Sequence, residues 1–202
     1  MKNAPFSFAK FAILPFCSLL LAGPAMADWQ IENSASEFHF VTTKAGKPGV
    51  LAVQEVQAFK DISGKVNDNG NIEVSVDLAS VETGVAVRDQ RIKDLLFAVG
   101  VTPKATFVGQ VDIGLIRKLT TGASKDLDLN GTITLCGQTR PVLAKLRIVK
   151  LSGNALLVET RAPFIVNAND FGLQAGVEAL RDVVGLNVLS GAAPVSFSIV
   201  LK

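Results

Sequence analysis

The chain has 202 residues, 49% of them hydrophobic, with 20 basic against 18 acidic side chains, one histidine and two cysteines. That length suits one domain with a sizeable core and is short for two. Near-balanced charge gives no electrostatic case for nucleic acid or an anionic membrane as partner, and a lone histidine speaks against multi-histidine metal sites and His-dependent triads.

Residues 1–27 have the pattern of a secretory signal. Lys2 and Lys10 make a basic start, Phe11 to Ala22 an apolar run of 12 residues, and Ala25-Met26-Ala27 a small-residue cleavage site before Asp28. The run is shorter than the roughly 18–20 residues that span a bilayer. Leu14-Pro15-Phe16 before Cys17 lacks the small residues of a lipidation box. The segment predicts export to the periplasm or beyond, with cleavage between Ala27 and Asp28. Lys2 and Lys10 leave with it, which brings the basic residues from 20 to 18, level with the acidic ones. Only Cys136 remains, so no internal disulfide can form and the core alone must hold the fold.

The mature chain alternates apolar and polar residues, the signature of strands with one buried face. Ile72, Val74, Val76 and Leu78 alternate with Glu73, Ser75 and Asp77. The same rhythm places Phe107 and Val111 on one face of a strand, Leu127, Leu129, Ile133 and Leu135 on another, then Val142, Ala144, Leu146 and Ile148, and last Val195, Phe197, Ile199 and Leu201. Strands are expected near 37–43, 50–57, 58–66, 71–78, 104–112, 126–136, 140–150, 154–166, 184–190 and 194–201. Asp68-Asn69-Gly70-Asn71, Gly137-Gln138-Thr139-Arg140 and Ser152-Gly153-Asn154 supply tight turns for antiparallel neighbours. So many strands close into a barrel or fold into a sandwich, which removes exposed edges.

One segment departs from period two. Ile92, Leu95, Leu96 and Val99 fall at helical spacing, predicting an amphipathic helix near 88–99, with Asp89 and Lys93 as a surface pair. A shorter helical turn is expected at 177–182. The expected architecture is therefore all-β with a minor helix: an antiparallel barrel of about eight strands with one helix inserted as a lid. An outer-membrane barrel would need outward apolar faces and aromatic girdles, whereas the mature chain has one Trp, Trp29, and no Tyr.

No phosphate loop, H-E-x-x-H, G-x-S-x-G or C-x-x-C pattern is present, so no catalytic residue, metal ligand or obligatory cofactor is assigned. His39 alternates with Phe38 and Phe40 and is expected outside. Cys136 is expected as a partly exposed thiol or an inert small residue before a turn. An enzyme acting on a lipidic substrate would need acids such as Glu82 or Asp170 to face the interior. Arg88 and Arg91 could meet a phosphate head group, although acids and bases alternate there as on a solvated helix face. Periodicity alone leaves two interiors open, one filled by its own side chains and one with room for a slender guest.

Between Ser80 and Thr139 the chain carries Ser80-Val81-Glu82-Thr83-Gly84, Arg88-Asp89, Pro103-x-x-x-Phe107 and Gly131-Thr132-Ile133-Thr134-Leu135-Cys136-Gly137-x-Thr139. In order and spacing these resemble the YceI-like family, secreted lipocalin-type barrels associated with polyisoprenoid lipids. Asn169-Asp170-Phe171-Gly172 resembles the family's Asp-Phe-Gly segment, with Ala168 where an arginine is usual. Residues 42–47, Thr42-Thr43-Lys44-Ala45-Gly46-Lys47, depart from the family where a histidine and a shorter link are common. The resemblance implies a hollow barrel that carries or sequesters an isoprenoid lipid or quinone. On the apolar strand faces, Phe38, Phe40, Phe107, Leu129, Ile133 and Phe197 would line it, with Arg88 and Arg91 as head-group contacts and residues 42–47 near its mouth. Balanced charge and the missing aromatic girdles lead to the expectation of no nucleic acid partner and no integral membrane insertion. A solid-cored accessory protein acting through its surface is the alternative.

Overall fold

A computed structural model describes residues 29–202; the expected signal segment lies outside the described residues. The described chain forms one antiparallel sheet of 13 strand segments that curls upon itself. β1 (Trp29–Gln30), β2 (Glu37–Ala45), β3 (Val53–Phe59) and β4 (Ile62–Val66) come first, followed by β5 (Asn71–Asp77), β6 (Val81–Glu82) and β7 (Lys104–Gln110). β8 (Ser124–Leu135) and β9 (Gln138–Lys150) form the longest hairpin, and β10 (Leu156–Thr160), β11 (Phe164–Asn167), β12 (Val188–Leu189) and β13 (Ala192–Leu201) complete the order.

These segments reduce to about eight staves. β3 and β4 are one strand bent at Lys60-Asp61, pairing first with β2 and then with β5. The Ser80 hydroxyl fixes the bend, accepting from the Lys60 and Asp61 amides at 3.1 and 3.0 Å and donating to the Asp77 carbonyl at 2.6 Å. β10 and β11 likewise share one line along β13. The ring closes through residues 29–32. β1 pairs with β4, while Ile31 bridges to Leu201 and Gln30 exchanges backbone hydrogen bonds with Lys202.

The turns follow the chemistry of their residues. Asn67 to Gly70 joins β4 to β5, and Gly70 has φ +80°, with the Val111 carbonyl 2.0 Å from where a Cβ would stand. The β8–β9 turn sits two residues earlier than its sequence suggests. Cys136 and Gly137 are its central pair, both at positive φ (48° and 76°), and Leu135 pairs with Gln138. This is the two-residue geometry that matches strand twist. Cys136 is half-buried against the Phe97 carbonyl.

Helices cap the ring. α1 (Ala86–Arg91) runs straight into a π-helical turn, Ile92–Phe97, which ends at Ala98 in the left-handed region. The expected α-helix near 88–99 is thus half α and half π. The wider turn buries Ile92 and Phe97 and leaves Leu95 exposed, so of the stripe read at α spacing Ile92, Leu96 and Val99 pack inward and Leu95 does not. α2 (Ile113–Arg117), absent from the sequence reading, buries Ile116. The second expected helix is longer than foreseen, α3 (Gln174–Val183), and the strand expected at 184–190 shrinks to β12 because residues 184–187 form the turn that follows the helix. Gly176 lets α3 touch the π-turn, since a Cβ there would stand 2.6 Å from the Leu95 carbonyl oxygen. No described helix is long and apolar enough to cross a membrane.

Candidate functional site: an apolar cavity with a polar side

The buried side chains form two clusters. One joins Phe40, Phe59, Ile62, Leu78, Val81 and Phe97 to the helical cap; the other joins Trp29, Val111, Ile116, Leu129, Leu146 and Leu156. A cavity of about 540 Å³ is lined by residues of both, within the range of small-molecule sites. The interior is hollow.

All six apolar residues expected to line a pocket stand on its wall: Phe38, Phe40, Phe107, Leu129, Ile133 and Phe197. Phe38 stacks on Phe197 and meets Phe59 edge-on, with both pairs of centroids 6.1 Å apart, while Phe40 stacks on Phe59 at 5.2 Å. Phe38, Phe107 and Phe197 are only half-buried despite pointing inward. Phe107 lies flat. Its ring covers the cross-strand pair Gly109 and Gly131, and a Cβ on Gly131 would stand 2.3 Å from two ring carbons. Two missing side chains thus let the largest residue of that wall recline along the sheet.

Polar residues also face the cavity, and the sequence reading did not assign them. Thr42 and Lys44 continue the inward parity of Phe38 and Phe40 on β2, and Glu55 and Gln57 share that of Phe59 on β3. Glu55 pairs with Lys44 at 2.9 Å and with Arg88 Nη1 at 2.7 Å, all three side chains about 30% exposed (30%, 31% and 28%). Burial pushes the Glu55 carboxyl up, but Lys44 and Arg88 outweigh it and hold it below the usual carboxylate range. Gln57 is deeper, at 2% exposure, with Nε2 donating to Thr42 Oγ1 at 3.3 Å and Oε1 without a partner. The signal was an inversion: β3 turns Val56 outward at 68% exposure while Glu55 and Gln57 face in.

Arg88 and Arg91 both reach the cavity, beside Val85, Val87 and Val184, whose exposure marks this as its mouth. Arg88 is largely occupied. Nη2 donates to the Thr83 carbonyl at 2.6 Å and Nη1 to Glu55, which leaves Nε unpartnered. Asp89 accepts from the Thr83 amide at 2.9 Å, so Thr83, Arg88 and Asp89 fasten the cap to β3. Glu82 and Asp170 are exposed and neither lines the cavity; Glu82 pairs with Lys60 at 2.7 Å. Phe171 packs inward. His39, expected on the surface, is on the outer parity of β2 but half-buried between Ala58 and Ser196. No group of three or more His, Cys, Asp or Glu suited to a metal occurs among the described residues.

The model of the YceI-like domain matches residues 29–201, the whole barrel from its closing segment to its last strand. The chain belongs to the YceI-like family. Among solved structures, a polyisoprenoid binding domain from Saccharophagus degradans, described as implicated in plant cell wall breakdown, is similar at 31% identity and a TM-score of 0.81. The match covers 86% of this chain and 97% of that one. BcnA of Burkholderia cenocepacia, at 16% identity, shares the fold with a TM-score of 0.61 over 85% of this chain and 99% of its own. No curated protein matches the chain. The YceI-like motif residues Ser80, Thr83, Arg88, Asp89, Gly131 and Gly137 mostly shape the barrel: they hold a bend, a cap, a reclining ring and a turn.

Proposed function

We propose that this YceI-like protein is a non-enzymatic, exported binding protein that carries or sequesters an isoprenoid-type lipid or quinone inside the barrel. The observation that carries the reading is the cavity of about 540 Å³ with Phe38, Phe40, Phe107, Leu129, Ile133 and Phe197 on its wall. The Saccharophagus degradans domain, named for polyisoprenoid binding, supports the ligand class. The basic start, apolar run and A-x-A site of residues 1–27 support export to the periplasm or beyond.

The energetics suit a greasy guest. Burying apolar carbon is worth roughly 0.8 kcal/mol per methylene. A few isoprene units therefore outweigh the ordering cost and reach about micromolar affinity, near −8 kcal/mol. Such a wall discriminates weakly between chain lengths, since one methylene changes binding little. Arg91 at the mouth, with Arg88 beside it, is placed to meet a head group that stays outside. An enzyme on a lipidic substrate would need a free acid on the wall; Glu82 and Asp170 are not there, and Glu55, which is, is held by Lys44 and Arg88.

Mass spectrometry of organic extracts from gently purified protein tests the reading. A co-purifying isoprenoid, or stoichiometric uptake of one by stripped protein, is the expected result. Protein that carries none and takes up none would overturn it.

A further inference from the structure

Gln57 occupies a position on the inner wall that an apolar residue would fill at lower cost. It lies two residues along β3 from Glu55 and two from Phe59, so it separates the Lys44–Glu55–Arg88 ion pairs from the stacked Phe40 and Phe59. One end of its amide is held loosely by Thr42, and the other end, although buried, has no partner. Buried polar groups are normally satisfied, and an unpaired one costs about as much as a lost hydrogen bond. An amide in a ligand cavity with a spare hydrogen-bonding end is suited to a guest that brings the missing partner.

The chemistry of that partner follows. A carboxamide presents oxygen or NH₂ according to a half-turn of its last bond, and the Thr42 hydroxyl serves either orientation because it donates and accepts. Gln57 therefore suits an uncharged oxygen, a hydroxyl or a carbonyl. It carries no charge to offset a phosphate or carboxylate, which would have to lose its water at this depth. The nearest cations, Lys44 and Arg88, are both committed to Glu55, and the one positive charge that cluster has to spare lies toward the mouth rather than at Gln57. A charged head group is better served at the mouth by Arg91.

We infer that Gln57, oriented by Thr42, is an internal head-group station for an uncharged oxygen at the end of an apolar chain. The cavity would then select such lipids over the same chain ending in hydrocarbon or in phosphate. This rests on the carrier reading and adds to it the chemistry of the ligand's polar end.

Native mass spectrometry with four matched guests tests it: an isoprenoid alcohol, its aldehyde, the corresponding hydrocarbon and the monophosphate. The wild-type chain should prefer alcohol or aldehyde over hydrocarbon and over phosphate by roughly tenfold, the worth of a buried hydrogen bond. Gln57→Met keeps length and removes the amide, so it should erase that preference while hydrocarbon binding stays. Thr42→Val should reduce the preference by a smaller factor without altering the wall's volume. Retained preference in Gln57→Met, or wild-type preference for the phosphate, overturns the station. Hydrocarbon binding with no preference also sinks it while leaving the carrier reading intact. If no guest binds at all, both fall.

Discussion

Two hairpins line the same cavity under different rules. In β8–β9 every inward position is apolar or glycine: Leu127, Leu129, Gly131, Ile133 and Leu135 on one strand, Val142, Ala144, Leu146 and Ile148 on the other. In β2–β3 the inward row changes along its length from Phe38, Phe40 and Phe59 to Thr42, Lys44, Glu55 and Gln57. The first wall supplies apolar area and no hydrogen-bonding side chain. The second gives the cavity a direction, with an oily floor and a hydrogen-bonding side. A cylinder lined throughout like β8–β9 would present the same surface to a chain in either sense, whereas the wall of this one differs along its length.

The largest blow to that contrast is a charge on the oily wall. Leu129→Asp or Phe107→Asp should abolish lipid binding, and at the more buried Leu129 an unpaired charge should cost about 3–5 kcal/mol. Lipid extraction and thermal melts report the two effects, and variants that stay folded and bind normally would show that the inner face is wrongly assigned. Gly109→Ala comes next. Its Cβ would stand 3.0 Å from the Phe107 ring, lifting the ring into the hollow at about 1–3 kcal/mol of crowding and cutting uptake of bulky guests. Unchanged uptake would show that the ring's posture does not set the bore.

Smaller changes sharpen the comparison on the polar wall. Gln57→Met removes an unsatisfied amide and should leave the empty protein as stable or up to about 1 kcal/mol more stable. A marked drop in melting temperature would mean that the amide supports the fold. Glu55→Gln has the smallest effect, under about 1 kcal/mol, because the ion pairs are partly solvated. Its sign depends on pH. The folded carboxyl is held low, so its contribution is full above the ordinary glutamate value near 4.3 and is lost as pH falls through the depressed one. Wild type and Glu55→Gln should therefore differ in melting temperature at neutral pH and converge in acid; a constant gap would exclude the linkage.

Most of the barrel is legible from period two, because β5, β8, β9 and β13 each bury one face and wet the other. All six apolar wall residues lie on the parity that alternation assigns to the inside. What escapes the pattern does so for physical reasons. Thr42, Lys44, Glu55 and Gln57 are polar residues facing in, and a rule that sends polar side chains outward cannot see them; the exposed Val56 is the trace of the inversion. The π-turn at Ile92–Phe97 shifts the buried stripe because five residues, not four, separate its hydrogen-bonded partners. Cys136 takes a positive φ that non-glycine residues seldom adopt, which moves the β8–β9 turn by two positions. α2 has only five residues, too few for any periodic signal.

The seam of the barrel has a consequence for when a hollow first exists. Residues 29–31 are zipped between β4 and the far end of β13, the last stave to leave the ribosome. Contacts this distant along the chain form late and slowly. Until β13 is synthesised there is no enclosed space, and a guest met earlier would find only an open, sticky sheet. An enclosed space is thus coupled to completion of the polypeptide, and on the carrier reading no guest enters ahead of that closure.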